Sequence, residues 1–122
     1  MENSLQSQLK SWRQHLHENP ETGFEEAATS EFVARALKAL GLDVQRGIGR
    51  TGLVASLTVG NGEGVIGLRA EMDALNIAEN APDRPHASRT QGKMHACGHD
   101  GHMSMILGAA RLLAEQIGRA HV

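Results

Sequence analysis

The hydrophobic period of this chain changes twice, and that alternation constrains its fold more than any other feature. Leu5, Leu9, Trp12 and Leu16 recur at helical spacing, and Ala28, Phe32, Val33, Ala36, Leu37 and Leu40 do so again up to Gly41. Past Gly41 the period falls to two. Leu53, Ala55, Leu57 and Val59 alternate there with Val54, Ser56 and Thr58. Helical spacing returns with Met103, Ile106, Leu107, Ala110, Leu113 and Ile117. The order is helix, helix, strands, helix, which places the chain in the α/β or α+β class.

Local signals set the expected boundaries. Asn3 and Gln6 predict a capping box for the first helix, and Pro20 lies past its end. Gly41 predicts the stop of the second helix. "GNGEG" is a turn, expected to join the alternating strand to a more continuously apolar one in "VIGLRAEM" as a hairpin. The polar stretch from Asn76 to Gly92, with Pro82 and Pro85, reads as an ordered loop. The last helix is expected to begin at His99 or Asp100 and to end at Gly118, leaving "RAHV" as the start of a strand that is cut short.

Composition narrows the functional classes. With 122 residues there is room for one modest domain. Hydrophobic residues make up 40% and aromatic residues only 2%, so a core must be aliphatic. The formal charge is -2 and no Lys/Arg run occurs, which argues against a nucleic-acid surface. One cysteine rules out an internal disulfide framework. No apolar run approaches the ~20 residues of a membrane span, and the N-terminus lacks an apolar signal region. The expectation is a cytoplasmic chain with no membrane or nucleic-acid partner.

The only cysteine and three of the seven histidines fall in "KMHACGHDGHM". In an extended segment His95, Cys97 and His99 share one side, and Gly98 lets the backbone approach whatever that side faces. Thiolate and imidazole are good ligands for zinc and similar metals. Asp100 and His102 are candidates to hold an imidazole in one tautomer. Two other readings stay open: a buried free cysteine amid surface histidines, and a thiol nucleophile with a histidine base. The second needs a base that reaches the sulfur, and a neighbour two residues away seldom does.

Two further stretches carry ionisable residues. In "GLRAEMDALNIAE", Glu71 and Asp73 follow an apolar run and share one side. They read either as a strand end turning into solvent or as support for the metal-ligand candidate. In "RQHLHENPETGFEE", His15 and His17 diverge by about 200° on a helix. That cluster reads as a solvated helix end and cap, with one histidine a candidate for burial.

Together "RQHLHENPETGFEE", "GLRAEMDAL" and "GKMHACGHDGHM" resemble the metal-dependent amidohydrolases that include hippurate hydrolase, N-acyl-amino-acid amidohydrolases and auxin-conjugate hydrolases. The resemblance runs from about Leu9 to Ile117 and covers only the opening part of a family member. It implies that residues 1–122 are the N-terminal part of a metallopeptidase-type catalytic domain, with a mixed sheet flanked by helices. It implies two divalent ions, manganese or zinc, with Cys97 and His99 as ligands and Glu71 and Asp73 supporting the site. The implied substrate is a small N-acyl amino acid, and the implied chemistry is attack on the amide by a metal-activated water. The glutamate that acts as base, and the other ligands, are implied to lie beyond this chain. Family members usually have Asp where this chain has Glu71, and Pro where it has Asn76.

The resemblance therefore implies an amidohydrolase parent and an inactive isolated chain. The alternative is a non-catalytic fragment that serves as a structural or association module. Homo-oligomerisation is left open by the sequence.

Overall fold

The structure, a computed structural model, describes residues 4–81 and 83–120, with side chains described through residue 116. The described residues form three helices and one two-stranded antiparallel sheet, an α/β chain as expected. Among the described residues no helix is long and apolar enough to cross a membrane.

The first helix, α1, spans Leu5–Glu18. Its cap is Ser4, whose hydroxyl oxygen accepts the Ser7 N–H at 3.1 Å. Asn3 of the expected capping box lies outside the described residues, as does Pro82. At the other end the Asn19 amide donates to the His15 carbonyl, and the helix stops before Pro20.

Helix α2 spans Ala27–Ala39. The Glu21 carboxylate accepts the N–H groups of Thr29 at 2.6 Å and Ala28 at 3.2 Å, satisfying donors that a first helical turn leaves free. The expected stop at Gly41 is present. Its φ is +93°, the Leu42 N–H reaches back to Leu37 and the Gly41 N–H to Lys38, the pattern of a Schellman termination.

The hairpin differs from expectation. Strand β1, Asp43–Ile48, was not legible in the sequence, and it pairs antiparallel with β2, Gly52–Ser56. The turn runs through Gly49, Arg50 and Thr51. The backbones come so close there that a Cβ on Gly52 would lie 2.5 Å from the Ile48 carbonyl oxygen. The run Val65–Met72, expected as the second strand of a hairpin, is not a strand. Strand β1 takes one edge of β2, and among the described residues this run pairs with neither strand. Val65 and Ile66 are 93% and 89% exposed, so apolar character alone did not make a ladder.

Helix α3 spans His99–Ala120 and so begins where expected. It does not end at Gly118. The helix runs on through that glycine to Ala120. Arg119 and Ala120 are therefore helical and do not start a strand, while His121 and Val122 lie outside the described residues. The expected place of Ile117 on the apolar face falls on an undescribed side chain.

The core is built where α1, α2 and α3 meet. Trp12 and Leu16, Val33 and Leu37, and Met103, Leu107 and Ala110 supply it, each set at spacings of three or four. Leu16, Met103 and Leu107 are at most 1% exposed. Each such side chain contributes roughly 1.5–3 kcal/mol of transfer free energy. Helices α1 and α3 lie close enough that a Cβ on Gly108 would come within 2.7 Å of Leu9.

Ala74 and Leu75 are threaded between two other segments. Ala74 bridges Thr22 in parallel, and Leu75 bridges Met94 antiparallel. The loop from 76 to 92 is ordered by its own hydrogen bonds. Ser88 donates from its N–H to Glu79 and from its hydroxyl to the Lys93 and Thr90 carbonyls, and the Arg89 N–H donates to the Glu18 carbonyl. These ties hold Asp73 beside the start of α3.

Candidate metal centre

Helix periodicity builds half of the site. His99 and His102 are three apart at the start of α3, so their rings project from one face, with centroids 5.7 Å apart. The threaded segment supplies the other half by bringing Glu71 and Asp73 against that face. His102 Nδ1 is 3.6 Å and His99 Nε2 4.0 Å from Glu71 Oε1. Among the described residues, Glu71, His99 and His102 each offer a ligand atom, all within 4.8 Å of one another.

Asp73 sets the state of His99. The imidazole Nδ1 lies 3.0 Å from the Asp73 carboxylate and 2.9 Å from the Asp73 carbonyl. Both partners accept, so Nδ1 carries a proton, and Nε2, on the side of Glu71, is the nitrogen left to ligate a metal. That is the arrangement in which a histidine binds a metal. Glu71 is held below the ordinary carboxylate range, first by its own backbone N–H, then against the effect of burial by Arg69 and by His99. Arg69 donates to its other oxygen at 3.0 Å.

Two imidazoles and an ionised carboxylate are a donor set that suits zinc or manganese. A zinc ligand atom sits about 2.1 Å from the ion, which puts neighbouring ligands roughly 3.4 Å apart. The separations of 3.6 and 4.0 Å from Glu71 are close to that spacing. The residues present therefore fit a divalent ion.

The sequence-derived assignments redistribute on this geometry. His99 is at the centre of the cluster. His102 and Glu71, expected as supporting groups, stand beside it as ligand-type groups. Cys97 is exposed, two residues before α3, and is not part of the three-residue cluster. Asp100 does not support His99. One residue further along a helix turns the side chain by about 100°, and Asp100 faces α1 instead.

There it enters a buried network that sequence reasoning found only in part. The Asp100 carboxylate accepts from Arg13 Nε at 2.9 Å and faces His17 Nδ1 at 2.9 Å, while His17 Nε2 is 3.1 Å from Glu79. His17 is 1% exposed and is the buried histidine anticipated in its cluster, whereas His15 stacks on Phe32. Arg13 and Glu79 were missed. Arg13 precedes His17 by four on α1, a readable spacing, but Glu79 in a polar loop has no signal that separates it from solvated acids. Burial pulls the carboxyls of Asp100 and Glu79 upward. His17 with the Gly101 N–H and Arg13 for the first, and the Ser88 N–H with His17 for the second, outweigh it and leave both below their ordinary values. His95 is 4% exposed with no hydrogen-bond partner for either ring nitrogen among the described residues. Burial pushes its pKa down against the pull of Asp100.

Comparison with known proteins supports the resemblance read from the motifs. Residues 67–120 match the model of Peptidase family M20/M25/M40. The chain is 47% identical over 112 residues to hippurate hydrolase of Campylobacter jejuni, covering 92% of this chain and 29% of that protein. It is 44% identical over 113 residues to N-acetyl-L-cysteine deacetylase of Bacillus subtilis, covering 92% and 27%. Its fold superposes on a Bacillus subtilis peptidase of the M20 family, described as dinuclear metal binding, with a TM-score of 0.87 and 36% identity. That match covers 93% of this chain and 32% of the other. The chain thus spans about 29% of the length of the first of these relatives.

Proposed function

We propose that this chain, similar in sequence and fold to the N-terminal part of M20-type metallopeptidases, is the part of a metal-dependent amidohydrolase that holds metal ligands. The reading extends to hydrolysis of the amide of an N-acyl or N-aroyl amino acid such as hippurate, in the cytoplasm, with two divalent ions, manganese or zinc. The observation that carries it is the convergence of Glu71, His99 and His102 with Asp73 on the His99 ring. The similarity to hippurate hydrolase supports the choice of acyl amino acids.

Glu71, His99 and His102 would hold an ion, with Cys97 added by the family resemblance. A divalent ion in such a site supplies Lewis-acid polarisation of an amide carbonyl and makes water acidic near neutral pH. The chain's own residues prepare the site. Asp73 keeps the proton on His99 Nδ1, Arg69 fixes one oxygen of Glu71 and leaves the other facing the histidines, and His102 stands exposed at the rim. By the same resemblance the glutamate base lies outside these 122 residues, so the chain alone is proposed to bind metal without turnover.

The test is benzoate release from hippurate by the 122-residue chain and by a complete homologous chain, with manganese, zinc and a chelator in turn. The reading expects chelator-sensitive turnover by the complete chain, lost with Cys97→Ala. Turnover that survives chelation but not alkylation would favour a thiol hydrolase. A second reading, an association module, has one observation in its favour, the exposed apolar row Val65, Ile66 and Leu68. Stoichiometric self-association with no metal binding would support it.

A further inference from the structure

The most deeply buried ionisable side chain outside the candidate metal centre is His17, 1% exposed and lodged between two carboxylates. Its Nδ1 faces Asp100 Oδ2 at 2.9 Å and its Nε2 faces Glu79 Oε1 at 3.1 Å. Neither oxygen is placed to give a proton. Asp100 Oδ2 already accepts from the permanently charged Arg13, and Glu79 Oε1 already accepts the Ser88 N–H at 3.0 Å. Arg13 Nη2, 3.4 Å from Nδ1, is itself a donor and cannot accept. Both ring nitrogens must therefore donate, which only the imidazolium can do. A neutral ring would leave one close nitrogen–oxygen pair as two facing lone pairs in a site without water access.

From these contacts we infer that His17 is a doubly donating imidazolium clasp and a positioning residue for the metal centre. It joins three elements: α1 through its own backbone, the first turn of α3 through Asp100, and the loop after the threaded segment through Glu79. Asp100 follows His99 directly, and Glu79 lies six residues after Asp73. The clasp therefore fixes the two backbones whose side chains meet at the His99–Asp73 contact. A buried ion pair is a weak source of net stability, but its partners tolerate little displacement, because a buried charge left unpaired is costly. Rigidity at this point is what a ligand set held to a few tenths of an ångström requires.

The groups facing His17 from each packed element are Arg13 on α1, Asp100 on α3, Glu79 in the loop and the edge of His86, whose ring centroid is 5.6 Å away. His95 also acts on this group of charges. The cations Arg13 and, when protonated, His86 oppose the charge on His17. The two carboxylates, in direct contact, favour it.

The experiment uses the isotope-labelled 122-residue chain and reads the ring nitrogens of His17 by NMR. Both are expected to be protonated at pH 7 in the folded chain, and Glu79→Gln is expected to release the proton on Nε2. A His17 ring that is neutral at pH 7 overturns the inference. The second arm compares zinc affinity and the His99 ring signals between the parent chain and His17→Gln, which can donate from one end only. This arm rests on the proposed metal centre. Loss of a supporting hydrogen-bond partner lowers metal affinity by about 10–100-fold in known sites, and at least ~10-fold is expected here. Unchanged affinity and unchanged His99 signals in a folded His17→Gln chain overturn the positioning role. Where His17→Gln does not fold, Glu79→Gln carries the same comparison. If the parent chain binds no zinc, the metal reading fails, and the His99 signals alone decide: displaced in the variant, they support the clasp, and in place, they refute it.

Discussion

Asp73 meets the His99 ring twice, its carboxylate 3.0 Å and its backbone carbonyl 2.9 Å from the same Nδ1. The second contact survives any change of side chain, so the two can be separated. Asp73→Ala should leave the tautomer preference in place but weaken the hold on the ring. Zinc affinity of the chain is expected to fall by about 10-fold, the lower end for loss of such a partner. Competition titration against a chromogenic chelator measures it, and unchanged affinity would show that the carbonyl suffices.

His99 is the one residue common to the observed cluster and to the ligand pair implied by the resemblance. His99→Ala should therefore weaken zinc binding more than either Cys97→Ser or His102→Ala. The same titration ranks the three. If Cys97→Ser proves the most damaging, the thiol dominates the site and the loop before α3 closes on the ion when it binds.

The Glu79 carboxyl is held below its ordinary value of 4.5: burial raises it, but the Ser88 N–H and His17 outweigh that effect. A carboxyl with a depressed folded-state pKa stabilises the fold fully above its unfolded value and loses that contribution as the pH falls through its folded value. Urea denaturation at a series of pH values should thus find Glu79→Gln less stable than the parent at pH 7. The gap should narrow below pH 4.5. A gap that widens in acid would mean that the sign of the His17–Glu79 interaction is wrong.

Leu107 is fully buried at the meeting of the three helices. Leu107→Ala should cost about 2–5 kcal/mol, the range for a buried leucine whose surroundings relax only in part. Chemical denaturation followed by circular dichroism checks it. The exposed Leu112 on the same helix is the control, and its alanine variant should stay within about 0.5 kcal/mol of the parent.

What the sequence determined by itself is whatever depends on near neighbours along the chain. The three helices follow from apolar spacing, because a residue three or four positions on shares a face whatever the rest of the molecule does. The stop at Gly41 follows from the one residue type that takes a positive φ without strain, and His99 and His102 pair through the same helical spacing. Gly118 marks the boundary of that rule, since a glycine ends a helix only if the chain actually turns there. The tertiary structure decided everything that needs a partner from far away. Val65–Met72 had the composition of a strand yet pairs with none among the described residues, while Asp43–Ile48, less apolar, found a partner in β2. Glu71 and Asp73 could have been solvated acids until the Ala74–Thr22 and Leu75–Met94 bridges brought them to α3. Asp100 sits beside His99 in sequence yet serves His17, because one step along a helix turns a side chain by about 100° and sends it to a different element.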